Sequence, residues 1–227
     1  PTSSGLLNPK CSVMPVILFM EDHKAETISR VIDAIKAFRT EYEDDDLTFS
    51  LASGPVGVMA ATNEAVADSQ DPMLFYVFGA VILLCLLSFR SLRATLSVVI
   101  PLYVVSVLAQ ALMTFLEIGL TVSTLPVIAL GVGIGVDYGI YILSTMVVHI
   151  RAGDTIQAAY LAALKERGSA VLFTGITLAI GVSTWVFSSL KFQMDMGILL
   201  TFMFIVNMLG AIIVLPAIAK LLWWNKK

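Results

Sequence analysis

The alternation of apolar and polar positions divides the chain into two unlike parts. In the first 71 residues the apolar positions come in short bursts. Ser12–Met20 (SVMPVILFM) reads as a strand, with Pro15 hinting at an edge position, and Leu47–Leu51 reads as a second strand. Between them, Ile28, Val31, Ile32, Ile35 and Phe38 recur at helical spacing, which predicts an amphipathic helix over Lys24–Tyr42. Gly54-Pro55 makes a turn, and Val56–Gln70 is expected to lead as a helix to the membrane, with Pro72 near the junction. From there on the pattern changes. Five apolar runs follow, at about 73–89, 94–116, 122–148, 169–190 and 197–224, each near the roughly 20 residues that cross a hydrocarbon core. The expected fold is therefore a polytopic α-helical membrane protein with five transmembrane helices (72–227), preceded by a partial α+β piece (1–71).

Charge sharpens that division. Of the 227 residues, 58% are hydrophobic and 14% charged, and the formal net charge is −3. Residues 1–71 hold five Lys/Arg against twelve Asp/Glu, and residues 72–227 hold nine against five. An acidic soluble piece before a mildly basic membrane piece does not suggest nucleic-acid binding. The acidic run Glu41–Asp46 is expected to be a solvated loop. Eight basic residues (Arg90, Arg93, Arg151, Lys165, Arg167, Lys220, Lys226, Lys227) fall on one side of the five spans and Lys191 alone on the other. The positive-inside rule then puts the soluble piece outside and the C-terminus in the cytoplasm. Cys11 and Cys85 lie in different parts, so no disulfide is expected. The connection near 154–168 carries a capping-box-like Asp154-Thr155-Ile156-Gln157, an apolar stripe and Gly168 as a stop, which predicts a short interfacial helix.

The candidate chemistry sits in the third span, Leu130-Gly131-Val132-Gly133-Ile134-Gly135-Val136-Asp137-Tyr138-Gly139-Ile140-Tyr141. An ionisable group at that depth costs on the order of 2.5–3.5 kcal/mol on translocon-type scales, so it is a functional-site candidate by default. The other spans offer no basic residue at matching depth to pair with Asp137. Burial in hydrocarbon favours the neutral carboxylic acid, which makes proton uptake and release possible. Tyr138 can hydrogen-bond such a carboxylate. Gly131, Gly135 and Gly139 recur every four residues and allow a second helix to approach closely. Tyr141 shares the Asp137 face, and Thr174, Thr177 and Asn207 are further candidates to support a relay. The plain alternatives are that the threonines bond their own backbone and that Asn207 glues helices together. His23 and His149 form no triad or metal set, and the Gly-x-Gly-x-Gly run follows no strand, so neither an enzyme nor a cofactor is expected.

At Gly133-Ile134-Gly135-Val136-Asp137-Tyr138-Gly139 the chain resembles the RND superfamily, in its MMPL-type branch of lipid and hydrophobe exporters. The Met14–Phe19 strand, the Glu26–Phe38 helix and the Leu51–Gly57 turn look like the end of a ferredoxin-like periplasmic porter domain. The resemblance implies a bacterial inner-membrane exporter driven by the proton-motive force, with a lipid or hydrophobic substrate. It implies that Asp137 and Tyr138 form half of a proton relay, and that the partner Asp-Tyr belongs to an N-terminal half outside this chain. The chain is accordingly expected to be a C-terminal portion of a longer polypeptide, inactive alone. Membrane lipids and a homo-oligomer are among the partners the resemblance allows. A sterol-sensing-type receptor module and a SecD/SecF-like translocation aid are the alternatives, to be told apart by whether the missing half has its own intramembrane Asp-Tyr.

Overall fold

The computed structural model describes residues 10, 12–20, 22, 25–44, 47–51, 54–119, 122 and 124–223. The loop-like start, Cys11, His23, Asp45-Asp46, Ala52-Ser53 and the terminal Lys226-Lys227 lie outside the described residues. The chain divides into two compact units, Pro1–Ala61 and Thr62–Lys227.

In the first unit, helix α1 runs Ala25–Tyr42. Its expected apolar face is only partly covered: Ile28 is buried, Val31, Ile32 and Ile35 are half-buried, and Phe38 is exposed. The Phe38 ring stacks on Tyr42 and meets Phe49 edge-on at 5.2 Å. The two expected strands are corrected here, because the described residues contain no β-strand. Ser12–Met20 carries no regular secondary structure, and Phe19 is 95% exposed. Asp44 and Leu47 form one isolated antiparallel bridge, in which each N–H donates to the other's carbonyl, at 3.2 and 3.3 Å. A β-propensive segment becomes a strand only through a ladder with a neighbour, and an isolated pairing is marginal in water. The α+β subdomain is therefore not present among the described residues.

The second unit is helical. Helix α2 (Pro55–Phe89) is one continuous 35-residue helix that carries Pro72 in its interior, so the proline marks no helix end. Helices α3 (Leu92–Phe115) and α4 (Leu125–Arg151) follow, the latter with Pro126 at its first positions, where a missing N–H costs nothing. Helix α5 (Ile156–Ala163) starts at Thr155, whose hydroxyl accepts from the Ala158 N–H at 3.3 Å. The expected stop at Gly168 is absent: a π turn (Leu164–Gly168) carries the chain straight into α6 (Ser169–Ser183) and a final 3-10 turn (Thr184–Phe187). Helix α7 (Lys191–Leu209) runs through a second π turn (Gly210–Val214) into α8 (Leu215–Trp223).

Five of these stretches are long and apolar enough to cross a membrane: Val56–Phe89, Leu92–Phe115, Leu125–Arg151, Ile156–Phe187 and Lys191–Trp223. In their most apolar windows half the residues of the second, third and fifth are buried, against 17% of the first and fourth. Helices α3, α4 and α7 thus form the centre, and α2 and α6 present Phe75, Tyr76 and Phe173 outward. Large exposed apolar side chains suit hydrocarbon surroundings, as every span satisfies its backbone internally.

The centre is close-packed because α4 has no side chains where it meets its neighbours. A methyl group built on Gly135 would lie 2.5 Å from Asn207 Cγ, one on Gly139 2.9 Å from Val98 Cγ1, and one on Gly131 against the Met203 thioether. Gly133, on the opposite face, has nothing within 4 Å. Overpacking a filled site typically costs about 1–3 kcal/mol. Gly135→Ala is therefore expected to lower thermal stability in detergent by that order, while Gly133→Ala leaves it unchanged or raises it. Equal shifts for the two variants would contradict this packing.

Candidate functional site

The site is built on the middle turns of α4, and its geometry follows from the rotation of that helix. Gly131, Gly135 and Gly139 lie on the buried face, turned towards α7, α3 and α8. At 100° per residue, residues 133, 137 and 141 fall on another face, and all three are exposed. Asp137 accordingly points away from the bundle formed by this chain, within the span Leu125–Arg151. Its carboxylate has no hydrogen-bond or ion-pair partner among the described residues. Tyr141, 53% exposed, flanks it one turn later.

Tyr138 faces the other way. Successive residues on a helix do not share a face, so the phenol that adjoins Asp137 in sequence is turned into the core, where it is 1% exposed. Its hydroxyl is a buried polar group without a hydrogen-bond partner among the described residues, Asp137 included.

Asn207 is buried on α7, and its Nδ2 donates to the Gly131 carbonyl at 3.0 Å. The amide also fills the space that Gly135 leaves. It thus joins α7 to α4 on the face opposite Asp137, which is the gluing role. Thr174 and Thr177 are exposed on α6, which packs on α7. The structure brings neither of them to Asp137. Of the residues singled out from sequence, Asp137 and Tyr141 share a surface, while Asn207, Tyr138 and the three glycines share the interior.

Sequence reasoning passed over a group at the basic end of α4. His149 Nδ1 lies 2.9 Å from Asp154 Oδ2, and Nε2 lies 3.2 Å from Glu166 Oε1. Nearby, the Tyr160 hydroxyl on α5 donates to the Ile212 carbonyl at 2.8 Å, inside the second π turn. The one signal available was Gly153 after a long helix, which marks a turn that folds the chain back over the helix end.

The sequence profile of the MMPL family matches residues 10–223. The chain belongs to the MMPL family. It is similar to the membrane protein MJ1562 of Methanocaldococcus jannaschii, with 24% identity over 147 residues, 65% of this chain and 38% of that protein. It is also similar to a Mycobacterium tuberculosis protein named as a probable transport protein, MmpL12, at 27% identity over 178 residues, 74% of this chain and 15% of that protein. This MMPL chain therefore spans well under half the length of the relatives it matches. Family and fold together make it a multi-pass membrane protein.

The orphaned Tyr138 hydroxyl yields a direct test. Removing a buried hydroxyl that has no partner should cost nothing and can relieve a desolvation penalty of about 1–3 kcal/mol. Tyr138→Phe is expected to leave thermal stability in detergent unchanged or higher, and a clear drop would reveal a partner for the phenol.

Proposed function

We propose that this chain is part of a carrier, not an enzyme, that exports lipids or other hydrophobic molecules at the expense of the proton-motive force. The observation that supports this reading most is Asp137: a carboxylate within an apolar span, on the surface of α4, with no countercharge among the described residues. A charge so placed is expensive in lipid alone and becomes tolerable when another polar element covers it or when it is protonated. In this reading Asp137 takes up and releases the driving proton. Tyr138 is the second member of the relay; its unpaired hydroxyl lies in the core of this bundle, so it meets a carboxylate only when α4 turns about its axis. A second bundle, with its own Asp-Tyr pair, covers the exposed face of α4. That bundle lies in the remainder of a longer polypeptide, as the short coverage of the relatives allows.

The energetic scale fits. One charge crossing the membrane potential is worth about 2.3 kcal/mol per 100 mV. That is enough to shift a two-state packing equilibrium by more than tenfold, at about 1.4 kcal/mol per decade. The first unit would be the end of a porter domain, placed outside a bacterial inner membrane by the excess of basic residues on the opposite side.

Reconstitution of the polypeptide with its second bundle in liposomes tests the reading, with a fluorescent phospholipid as cargo and an imposed pH gradient as the drive. Asp137→Asn is expected to abolish gradient-driven movement while the protein still folds and inserts. Undiminished movement in that variant would remove Asp137 from the mechanism.

A further inference from the structure

The basic end of α4 runs His149-Ile150-Arg151-Ala152-Gly153-Asp154. Gly153 has φ +102°, in the left-handed region that side chains with a Cβ rarely adopt. That turn lets the Asp154 N–H reach back to the His149 carbonyl at 3.0 Å, a Schellman-type closure of the helix. The same turn folds the Asp154 carboxylate over the helix end, where its Oδ2 meets Nδ1 of His149 at 2.9 Å. On the far side of the ring, Nε2 meets Oε1 of Glu166 at 3.2 Å. One imidazole therefore ties together the end of α4, the turn that begins α5, and the π turn that leads into α6.

The proton count of that ring is set by its neighbours. A carboxylate only accepts, whereas a neutral imidazole carries one N–H. Both contacts are hydrogen bonds only when the ring holds two protons. Other charged groups do not supply a substitute. Arg151 on the same helix turns to the Phe89 carbonyl at 3.4 Å, and Lys165 and Arg167 beside Glu166 are exposed. Tyr160, the titratable residue of α5, donates to Ile212. On the other elements packed against α4, Arg93 begins α3, Lys191 and Asp195 lie at the start of α7, and Lys220 is exposed on α8. None of these bonds to the ring.

We propose that His149, Asp154 and Glu166 form a proton-operated clamp, which holds the α5 connector to the end of α4 while the ring is doubly protonated and releases one side when a proton leaves. The sign follows from the donor count. The clamp is complete at low pH and loses a bond as pH rises through the titration of the ring. Tyr160 keeps its own attachment to the π turn of α7 throughout, so α5 pivots about that point instead of detaching. The connector then responds to pH on its own side of the membrane, independently of Asp137.

Hydrogen exchange of the amides of residues 153–168, measured on the full chain in lipid nanodiscs from roughly pH 6 to 9 and corrected for intrinsic rates, tests the clamp. In the unaltered chain protection is expected to fall in one step by about two- to fivefold, the scale of exposed charge pairs. His149→Gln should show no step, and Glu166→Gln a diminished one. Tyr160→Phe should loosen α5 at every pH without moving the step. A pH-independent profile in the unaltered chain, or an undiminished step in His149→Gln, overturns the proposal. Should His149→Gln fail to fold, nitrogen-15 NMR of the His149 ring in the unaltered chain decides: two protonated nitrogens at roughly pH 6 support the clamp, and one overturns it.

Discussion

The bundle depends on how closely α7 approaches α4. Gly131 and Gly135 remove the side chains that would hold the two helices apart, and Asn207 occupies the space and donates to the Gly131 carbonyl. Van der Waals contact along a small-residue face and one buried interhelical hydrogen bond are the forces available between helices in lipid, where burial of apolar surface contributes little. Their consequence is angular. With the glycine face fixed inward, residues on the other side of α4 have no choice but to face out, and Asp137 is one of them. A helix turned by one residue would put the phenol where the carboxylate now is and the carboxylate at the half-buried position of Val136.

That angular constraint explains why Asp137 and Tyr138, neighbours in sequence, are not neighbours in chemistry here. One meets the surroundings of the bundle and the other its interior. The MMPL chain thereby carries a polar group that nothing among the described residues covers, beside a buried hydroxyl that nothing among them satisfies. Both are costs, and the first becomes an asset if a second polar surface meets α4. At the other end of the same helix, the chain turns back at Gly153 and two carboxylates meet one imidazole. The helix therefore has a titratable group in its middle and another at its basic end, held by separate contacts.

Much of this was legible in the sequence because it rests on local rules. Length and apolarity mark the five spans, and the four-residue spacing of Gly131, Gly135 and Gly139 marks the face that packs. The absence of strands among the described residues was not legible, since β-propensity in Ser12–Met20 says what the segment would do beside a partner, and pairing is not a property of one segment. The two π turns were hidden for a similar reason: Leu164–Gly168 and Gly210–Val214 read as ordinary helix or as a helix stop, and packing of the flanking helices decides between them. The His149 cluster escaped because Glu166 is 17 residues away and reaches the ring only after α5 has doubled back.

The rotation of α4 is the claim on which the account of Asp137 rests, and cysteine accessibility along the helix measures it. Single cysteines at 131, 133, 135, 137, 138 and 141, in a chain freed of Cys11 and Cys85 and placed in a lipid bilayer, would be probed with a membrane-permeant thiol reagent. Reaction at 133, 137 and 141 with protection at 131, 135 and 138 is the predicted pattern. Protection at 137 with reaction at 138 would contradict it.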